Sequence, residues 1–328
     1  MRSSTPRALA GGQARTRLPI PGSSAMTFSP HLSSAALALA LAAAPLLAQN
    51  GGASAPATLE PAPPAQGRLV QIRLPLAWSS EAPDGRLATV PLHFERREGR
   101  WWALGAIAVD APDTIPLVLR AAGATDSVVQ AVPVRQVDWP TEKLTVAPRY
   151  GQEPDSALNA RLERESALAL EVSRRSHESP RLWRSGFARP RPGRVTSGFG
   201  KAREYNGQVR GRHNGTDFAG GIGTPIRATN RGVVAIVDTF YLGGRVVYLD
   251  HGAGLTSAYL HLSRADVAVG DTVERGEVIG RVGATGRVTG PHLHWIVRYG
   301  GVTVDPLSLP GLAPAPAARK WPGPPPRR

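Results

Sequence analysis

Three short stretches in the C-terminal part of the chain carry residues fit for metal-assisted hydrolysis. They are Arg212-His213-Asn214-Gly215-Thr216-Asp217, Tyr259-Leu260-His261-Leu262 and Gly290-Pro291-His292-Leu293-His294-Trp295. Four of the eight histidines therefore gather there with one aspartate. Two imidazole nitrogens and one carboxylate oxygen make a hydrolytic zinc site whose fourth position is left for water. Two further imidazoles would supply acid and base groups beside it. Side chains on a strand repeat every two residues, so His292 and His294 share a face and Leu293 points the other way, into a core. His213 and Asp217, four apart, also share one face of an extended segment. A helix would align them too, but Gly211, Gly215, Gly220 and Gly221 disfavour one.

The remaining histidines read as structural. His251, in Asp250-His251-Gly252, reads as a turn residue, and His31, His93 and His177 have no ligand-like neighbours. An H-x-x-x-D or an H-x-H alone is weak. Both together, with Y-x-H-L between them, are specific.

These residues sit in a longer pattern. Gly193-Arg194-Val195-Thr196-Ser197-Gly198-Phe199-Gly200 precedes the first motif, and Gly223-Thr224-Pro225-Ile226-Arg227-Ala228 and Gly232-Val233-Val234 follow it. Asp250 to Leu255 leads into the Tyr259 motif. Val269-Gly270-Asp271-Thr272-Val273, Gly276-Glu277-Val278-Ile279-Gly280 and Gly283 to Arg287 lead into the last one, and Val304-Asp305-Pro306 closes the series. In this order the stretch from about Trp183 to Pro306 resembles the lysostaphin-type (LytM-domain) zinc metallopeptidases, a peptidoglycan-cleaving family. The resemblance implies one zinc per chain, held by His213, Asp217 and His294, with His261 and His292 as the catalytic imidazoles. Which of the two is the base and which stabilises the transition state stays open. Tyr205 is implied as a substrate-binding residue for the oxyanion, from a Glu204–Arg212 loop of variable length. The family often has a further His beside the first ligand; here the neighbours are Arg212 and Asn214. All five positions are occupied, whereas a non-catalytic activator with the same fold, the rival reading, would lose ligands.

The elements that must position these residues are mainly strands. Val70, Ile72 and Leu74 alternate with polar residues, as do Val90, Leu92 and Phe94. Further short strands follow at 101–109, 116–120, 127–134 and 143–146, with turn signals between them, which suggests a β-sandwich over 67–149. Its order loosely resembles the immunoglobulin-like domain ahead of some family members. Pro154-Asp155 begins a helix to about Arg175, with Leu158, Leu162, Leu168 and Val172 as its apolar face and Arg161, Glu163, Arg164 and Glu165 solvated. The expected fold is thus mainly β: an N-terminal immunoglobulin-like sandwich, one connecting helix within 150–180 packed between the domains, and a C-terminal barrel-sandwich (duplicated hybrid motif) metallopeptidase domain over 181–309. The sandwich and helix are expected either to limit access to the zinc groove or to bind wall or partner. Residues 310–328 form a Pro-rich basic tail unable to bury a core.

Residues 1–48 read as a signal peptide. Ala35–Leu47 is an apolar run too short to span a bilayer comfortably, and the start is Met1 or Met26. Cleavage after Ala44 or Ala48 removes Arg2, Arg7, Arg15 and Arg17 and no acid, lowering the net charge from +14 to +10. Residues 49–66, rich in Ala, Pro and Gly, read as a flexible linker. The absence of cysteine excludes disulfides, thiolate metal sites and a lipoprotein anchor on Cys. Lys143, Lys201 and Lys320 are the only lysines, so the positive charge is almost all arginine. It lacks the aromatic interleaving of a nucleic-acid surface, and no nucleic-acid partner is expected. The expected setting is the periplasm, cell wall or extracellular space, with peptidoglycan as partner, no stable membrane span after cleavage, and room for a regulatory protein partner.

Overall fold

The computed structural model describes residues 57–311 apart from Ala77 and Gly151. The expected leader, and the expected basic tail beyond Gly311, lie outside these residues. Eight short strands come first: β1 (Thr58–Glu60), β2 (Leu69–Arg73), β3 (Asp84–Leu87), β4 (Val90–Pro91), β5 (Glu95–Arg97), β6 (Arg100–Ala106), β7 (Thr114–Arg120) and β8 (Val128–Pro133). They form two four-stranded antiparallel sheets, in the orders β1-β2-β6-β5 and β4-β3-β7-β8. Val70, Ile72 and Leu74 face Leu87, Leu117 and Leu119 across one buried apolar layer. The alternation read from the sequence therefore has its physical cause in a two-layer sandwich.

The expected linker is too long. Thr58–Glu60 pairs with β2, Ala65 is buried, and the Gln66 side-chain Nε2 donates to the Ala111 carbonyl at 2.7 Å. Proline and alanine in this stretch suit a sheet edge rather than a free tether.

Strand β9 (Thr141–Leu144) leaves the sandwich, and helix α1 (Ser156–Arg175) follows. Asp155 caps the helix by accepting from the Leu158 amide at 2.7 Å. The helix is not packed between two domains as expected. Its buried face, with Ala169, Ser173 and Val172, lies on Ile236, Tyr248, Ala258 and Ile296 of the peptidase sheet. Leu168 points to solvent, 44% exposed, while Glu165 turns inward to accept from the Tyr241 amide at 2.9 Å. A half-polar face suits a sheet back whose loop amides need acceptors.

The rest is the peptidase unit: β10 (Val195–Ser197), β11 (Ala202–Tyr205), β12 (Gln208–Arg212), β13 (Thr216–Ala219), β14 (Pro225–Arg227), β15 (Gly232–Phe240), β16 (Gly244–Gly252), β17 (Leu255–Ala265), β18 (Thr272–Val273), β19 (Val278–Val282), β20 (His292–Tyr299) and β21 (Val302–Val304). The main path runs β10-β13-β20-β17-β16-β15-β18. Strand β19 joins β14 to β17, and β21 joins β20. Strands β11 and β12 form a hairpin whose third strand is β9. The stretch expected to be a variable loop is therefore paired. Asn206 and Gly207, both at positive φ, make its two-residue turn, which suits the twist of a hairpin.

The sandwich and the peptidase unit share one apolar cluster. Leu69, Val90, Leu104 and Ala106 pack with Trp183, Tyr299 and the residues around them. The Asp305 amide donates to the Gly67 carbonyl at 2.6 Å, and Arg181 pairs with Glu95 at 2.7 Å. Among the described residues, no helix is long and apolar enough to cross a membrane.

Candidate metal centre

Strand register assembles the site. Strand β13 pairs antiparallel with β20, with Asp217 directly opposite His294. On the other side of β20, Leu260 lies opposite His294, which brings His261 alongside. His213 leaves β12 just before the turn into β13. A Cβ at Gly215 in that turn would lie 2.4 Å from the Trp295 carbonyl oxygen and 2.8 Å from His294 Cε1, so only glycine allows this approach. His261 sits at φ 66°, a costly conformation for a histidine, beside a register irregularity in β17. Its amide donates to the Gly243 carbonyl at 2.8 Å, which helps hold it there.

His213, Asp217 and His294 are buried, and they offer ligand atoms that lie within 4.8 Å of one another. Asp217 Oδ1 is 3.0 Å from His213 Nε2 and 2.7 Å from His294 Nδ1. The opposite ring nitrogens are engaged elsewhere. His213 Nδ1 donates to the Gly198 carbonyl at 2.7 Å, and His294 Nε2 to Asn214 Oδ1 at 3.0 Å. Each bond fixes a tautomer that leaves the inward nitrogen with its lone pair, the arrangement a metal-binding histidine needs. Two neutral imidazoles and one carboxylate, oriented this way, fit a divalent transition metal.

Burial would raise the Asp217 carboxyl, but the His213 and His294 rings set against it outweigh burial and hold the group far below its usual range. Burial lowers His294 to about 4, against the pull of Asp217. Burial, with His294 and His292 beside it, lowers His261 to about 3. His261 and His294 are therefore neutral near pH 7.

His261 and His292 flank the trio, with ring centroids 4.9 Å apart. His261 Nδ1 donates to the Thr285 carbonyl and His292 Nδ1 to the Gly290 carbonyl, each at 2.8 Å. Both rings thus keep Nε2 for the cleft. His292 Nε2 stands 3.8 Å from Asp217 Oδ1, farther than His294 Nδ1. A cavity of about 450 Å³ opens over these groups. Tyr205 and Arg287 line it, the guanidinium lying 4.0 Å from the Tyr205 ring centre. Among the described lining residues none comes from strands β1–β8 or from α1. Glu142, Leu144 and Val146, on and just after β9, form that wall instead.

Several residues that support the site escaped the sequence reading. Arg203, 6% exposed, bridges Glu142 Oε2 at 2.9 Å and Asp217 Oδ2 at 3.3 Å. The Ser197 hydroxyl donates to Glu142 Oε2 at 2.7 Å. Arg203 and Tyr205 are two apart on β11, and that period could have flagged Arg203 once Tyr205 was singled out.

The other histidines stand away from the trio. His251 is not a turn residue. It is fully buried at the end of β16, with Nδ1 bonded to the Arg231 carbonyl at 2.7 Å and Nε2 to Ser257 Oγ at 2.8 Å. His93 and His177 meet each other across the junction, Nε2 to Nδ1 at 2.6 Å. His31 lies outside the described residues. Burial lowers His251 from 6.5 to about 4. As pH falls below 6.5 the unfolded chain takes up a proton that the folded chain refuses. Stability is expected to drop between about pH 6.5 and 4, by up to about 3 kcal/mol from this group. Urea midpoints measured across that range, in the wild type and in His251→Gln, check this. The variant should show the flatter profile.

A family model described as peptidase family M23 matches residues 211–306. The crystal structure of a protein assigned to peptidase M23 from Pseudomonas aeruginosa aligns with a TM-score of 0.58 at 32% identity. The alignment covers 75% of this chain and 93% of that one. The chain belongs to peptidase family M23. Its M23 region is also similar to curated proteins. The peptidoglycan DD-endopeptidase ShyC of Vibrio cholerae is 41% identical over 118 residues, 35% of this chain and 27% of ShyC. The DD-carboxypeptidase/endopeptidase Mpg of Neisseria meningitidis is 40% identical over 116 residues, 35% of this chain and 27% of Mpg. The chain thus spans about a quarter of the length of the curated relatives it matches.

Proposed function

We propose that this M23 protein is an exported, zinc-dependent endopeptidase that hydrolyses peptide bonds in peptidoglycan stem peptides or crosslinks during cell-wall remodelling. The observation that carries the reading is the buried His213, Asp217 and His294 trio, with two further imidazoles turned towards the same open cleft. M23 membership, and similarity to proteins named as the peptidoglycan DD-endopeptidase ShyC and the DD-carboxypeptidase/endopeptidase Mpg, support the substrate class. One zinc ion, held by His213 Nε2, His294 Nδ1 and Asp217 Oδ1, would supply a Lewis acid that acidifies water and polarises the scissile carbonyl.

The chain's own groups do the rest. His261 and His292, each tied through Nδ1 to a backbone carbonyl, hold Nε2 ready to take a proton and return it to the departing amine. Tyr205, beneath Arg287, binds substrate along the cleft wall. The leader at 1–48 directs export to the periplasm or wall and is removed there. The N-terminal sandwich is immunoglobulin-like. Its strand orders β1-β2-β6-β5 and β4-β3-β7-β8 distribute eight strands in that manner, which supports this reading. A regulatory protein would act on its outer surface.

Digestion of purified sacculi, with mass analysis of the released muropeptides, tests the proposal. Crosslink peptides should be released, stop appearing after treatment with a chelator, and reappear when zinc is restored. No release from zinc-loaded protein, or equal release with chelator present, would sink it.

A further inference from the structure

We propose that Glu142, acting through Arg203 and Ser197, is a positioning residue for the metal centre. The working site would then begin on a strand well before the stretch that matches the M23 family, residues 211–306. The inference rests on the metal reading above.

The register of two parallel strands carries it. Strand β9 pairs with β11 so that Thr141, Glu142, Lys143 and Leu144 lie opposite Ala202, Arg203, Glu204 and Tyr205. Alternation along both strands sorts them by face. Glu142, Leu144, Arg203 and Tyr205 line the cleft, while Lys143, with its side chain 79% exposed, meets Glu204 on the outer side. Glu142 is thus set against Arg203 by backbone pairing, not by a chance surface encounter. The strand is anchored at both ends. The Ala202 amide donates to the Pro140 carbonyl at 3.0 Å, and the Val146 amide to Asn206 Oδ1 at 3.1 Å. Trp139 lies so close over Gly200, at φ 86°, that a Cβ there would stand 2.1 Å from the indole.

The chemistry follows from which oxygen goes where. Asp217 has two carboxylate oxygens. Oδ2 accepts from Arg203 at 3.3 Å, and Oδ1 faces His213 and His294. Arg203 therefore determines which oxygen is left for a metal. The guanidinium is itself aimed by Glu142, which accepts from its other Nη. Ser197 Oγ closes the triangle, 3.2 Å from Arg203 Nη2 and 2.7 Å from Glu142. Lys201 Nζ also reaches Glu142, at 3.1 Å. Burial would raise the Glu142 carboxyl, but the Ser197 hydroxyl, Arg203 and Lys201 together keep it below its usual range, so it is ionised.

The charges in this cluster balance: two cations, Lys201 and Arg203, against Glu142 and Asp217. Without Glu142, Arg203 would keep Asp217 as its one carboxylate partner among these groups, and the cluster would carry one negative charge fewer. The carboxylate would be drawn towards Arg203, and the trio would offer a divalent ion less negative potential. An aspartate pulled away from the two imidazoles is a poorer ligand, even with every ligand residue still present.

Full-length wild type, E142Q, E142A, R203K and K143A would each be assayed for zinc affinity by competition with a chromophoric chelator. Turnover of muropeptides at saturating zinc would be measured in parallel. Partners that orient ligands typically matter 10- to 100-fold, so E142Q should bind zinc about tenfold more weakly and E142A up to about 100-fold. R203K should resemble E142A, because an ammonium cannot span two carboxylates as a planar guanidinium does. At saturating zinc, kcat should fall in the Glu142 variants while KM changes little. K143A, on the outer face of the same strand, should match the wild type and so control for damage to the strand. E142Q keeps the shape of the side chain and remains the deciding variant if E142A fails to fold. Zinc affinity in E142Q within about twofold of wild type would overturn the inference, since a true orienting partner costs more than that. A wild type that binds no zinc would instead overturn the metal reading, and this inference with it.

Discussion

Alanine at His213, Asp217 or His294 is expected to strip the metal from the protein, and with it all hydrolysis. The three ligand atoms are buried and oriented by bonds on their far sides. No other described His, Cys, Asp or Glu completes a comparable group. Residues that only orient ligands typically change affinity 10- to 100-fold, so loss of a ligand itself should exceed about 100-fold. Asp217 should be the most sensitive of the three. Its removal leaves Arg203 and both imidazoles facing one another without the anion that reconciles them. Metal content after dialysis against a weak chelator, measured beside near-native circular dichroism, decides the matter. Full zinc occupancy in all three variants would refute the assignment. Loss of zinc from His292→Ala with retention in His294→Ala would mean that the two members of H-x-H have been exchanged, which the longer distance from His292 to Asp217 argues against.

The second large effect concerns His261 and His292. Each alanine variant should keep its zinc and lose on the order of 10²- to 10⁴-fold in turnover, the range for a positioned acid or base and for groups that stabilise transition-state charge. Both rings stand beside the trio without completing it, and both are tethered through Nδ1 to a carbonyl that alanine leaves in place. The pair should differ in collateral damage. His261 is almost wholly buried and sits in a strained backbone, so its loss opens a gap. His292 lies nearer the mouth, its side chain 16% exposed, and should be replaced with little effect on stability. Single-turnover rates at matched zinc occupancy would measure this. Wild-type turnover in either variant would remove that residue from the mechanism.

What could be read from the residues alone was the part written in local spacing. His292 and His294 are two apart, Leu293 between them is fully buried, and the strand period brings them together without further information. The cross-strand register that sets Asp217 against His294 could not be read, but the recurring motifs implied its result. The outer support was illegible. Glu142 and Arg203 are 61 residues apart, and a Glu in a Thr-Glu-Lys-Leu strand and an Arg in an Arg-rich chain carry no signal of pairing. Asn214 was visible only as a missing histidine, although its amide oxygen fixes the His294 ring. Local composition misled at residues 57–66, where Pro and Ala border a sheet. It misled again at Leu168, where a leucine at helical spacing points away from the packed face.

The apolar cluster shared by the sandwich and the peptidase unit bears on motion. Connected domains are expected to swing relative to one another unless their interface is large and hydrophobic. Here Leu69, Val90 and Leu104 are buried in the same cluster as Trp183 and Tyr299. The wall that Glu142, Leu144 and Val146 lend to the cleft, on and just after the strand that leaves the sandwich, is thus carried on a fixed base.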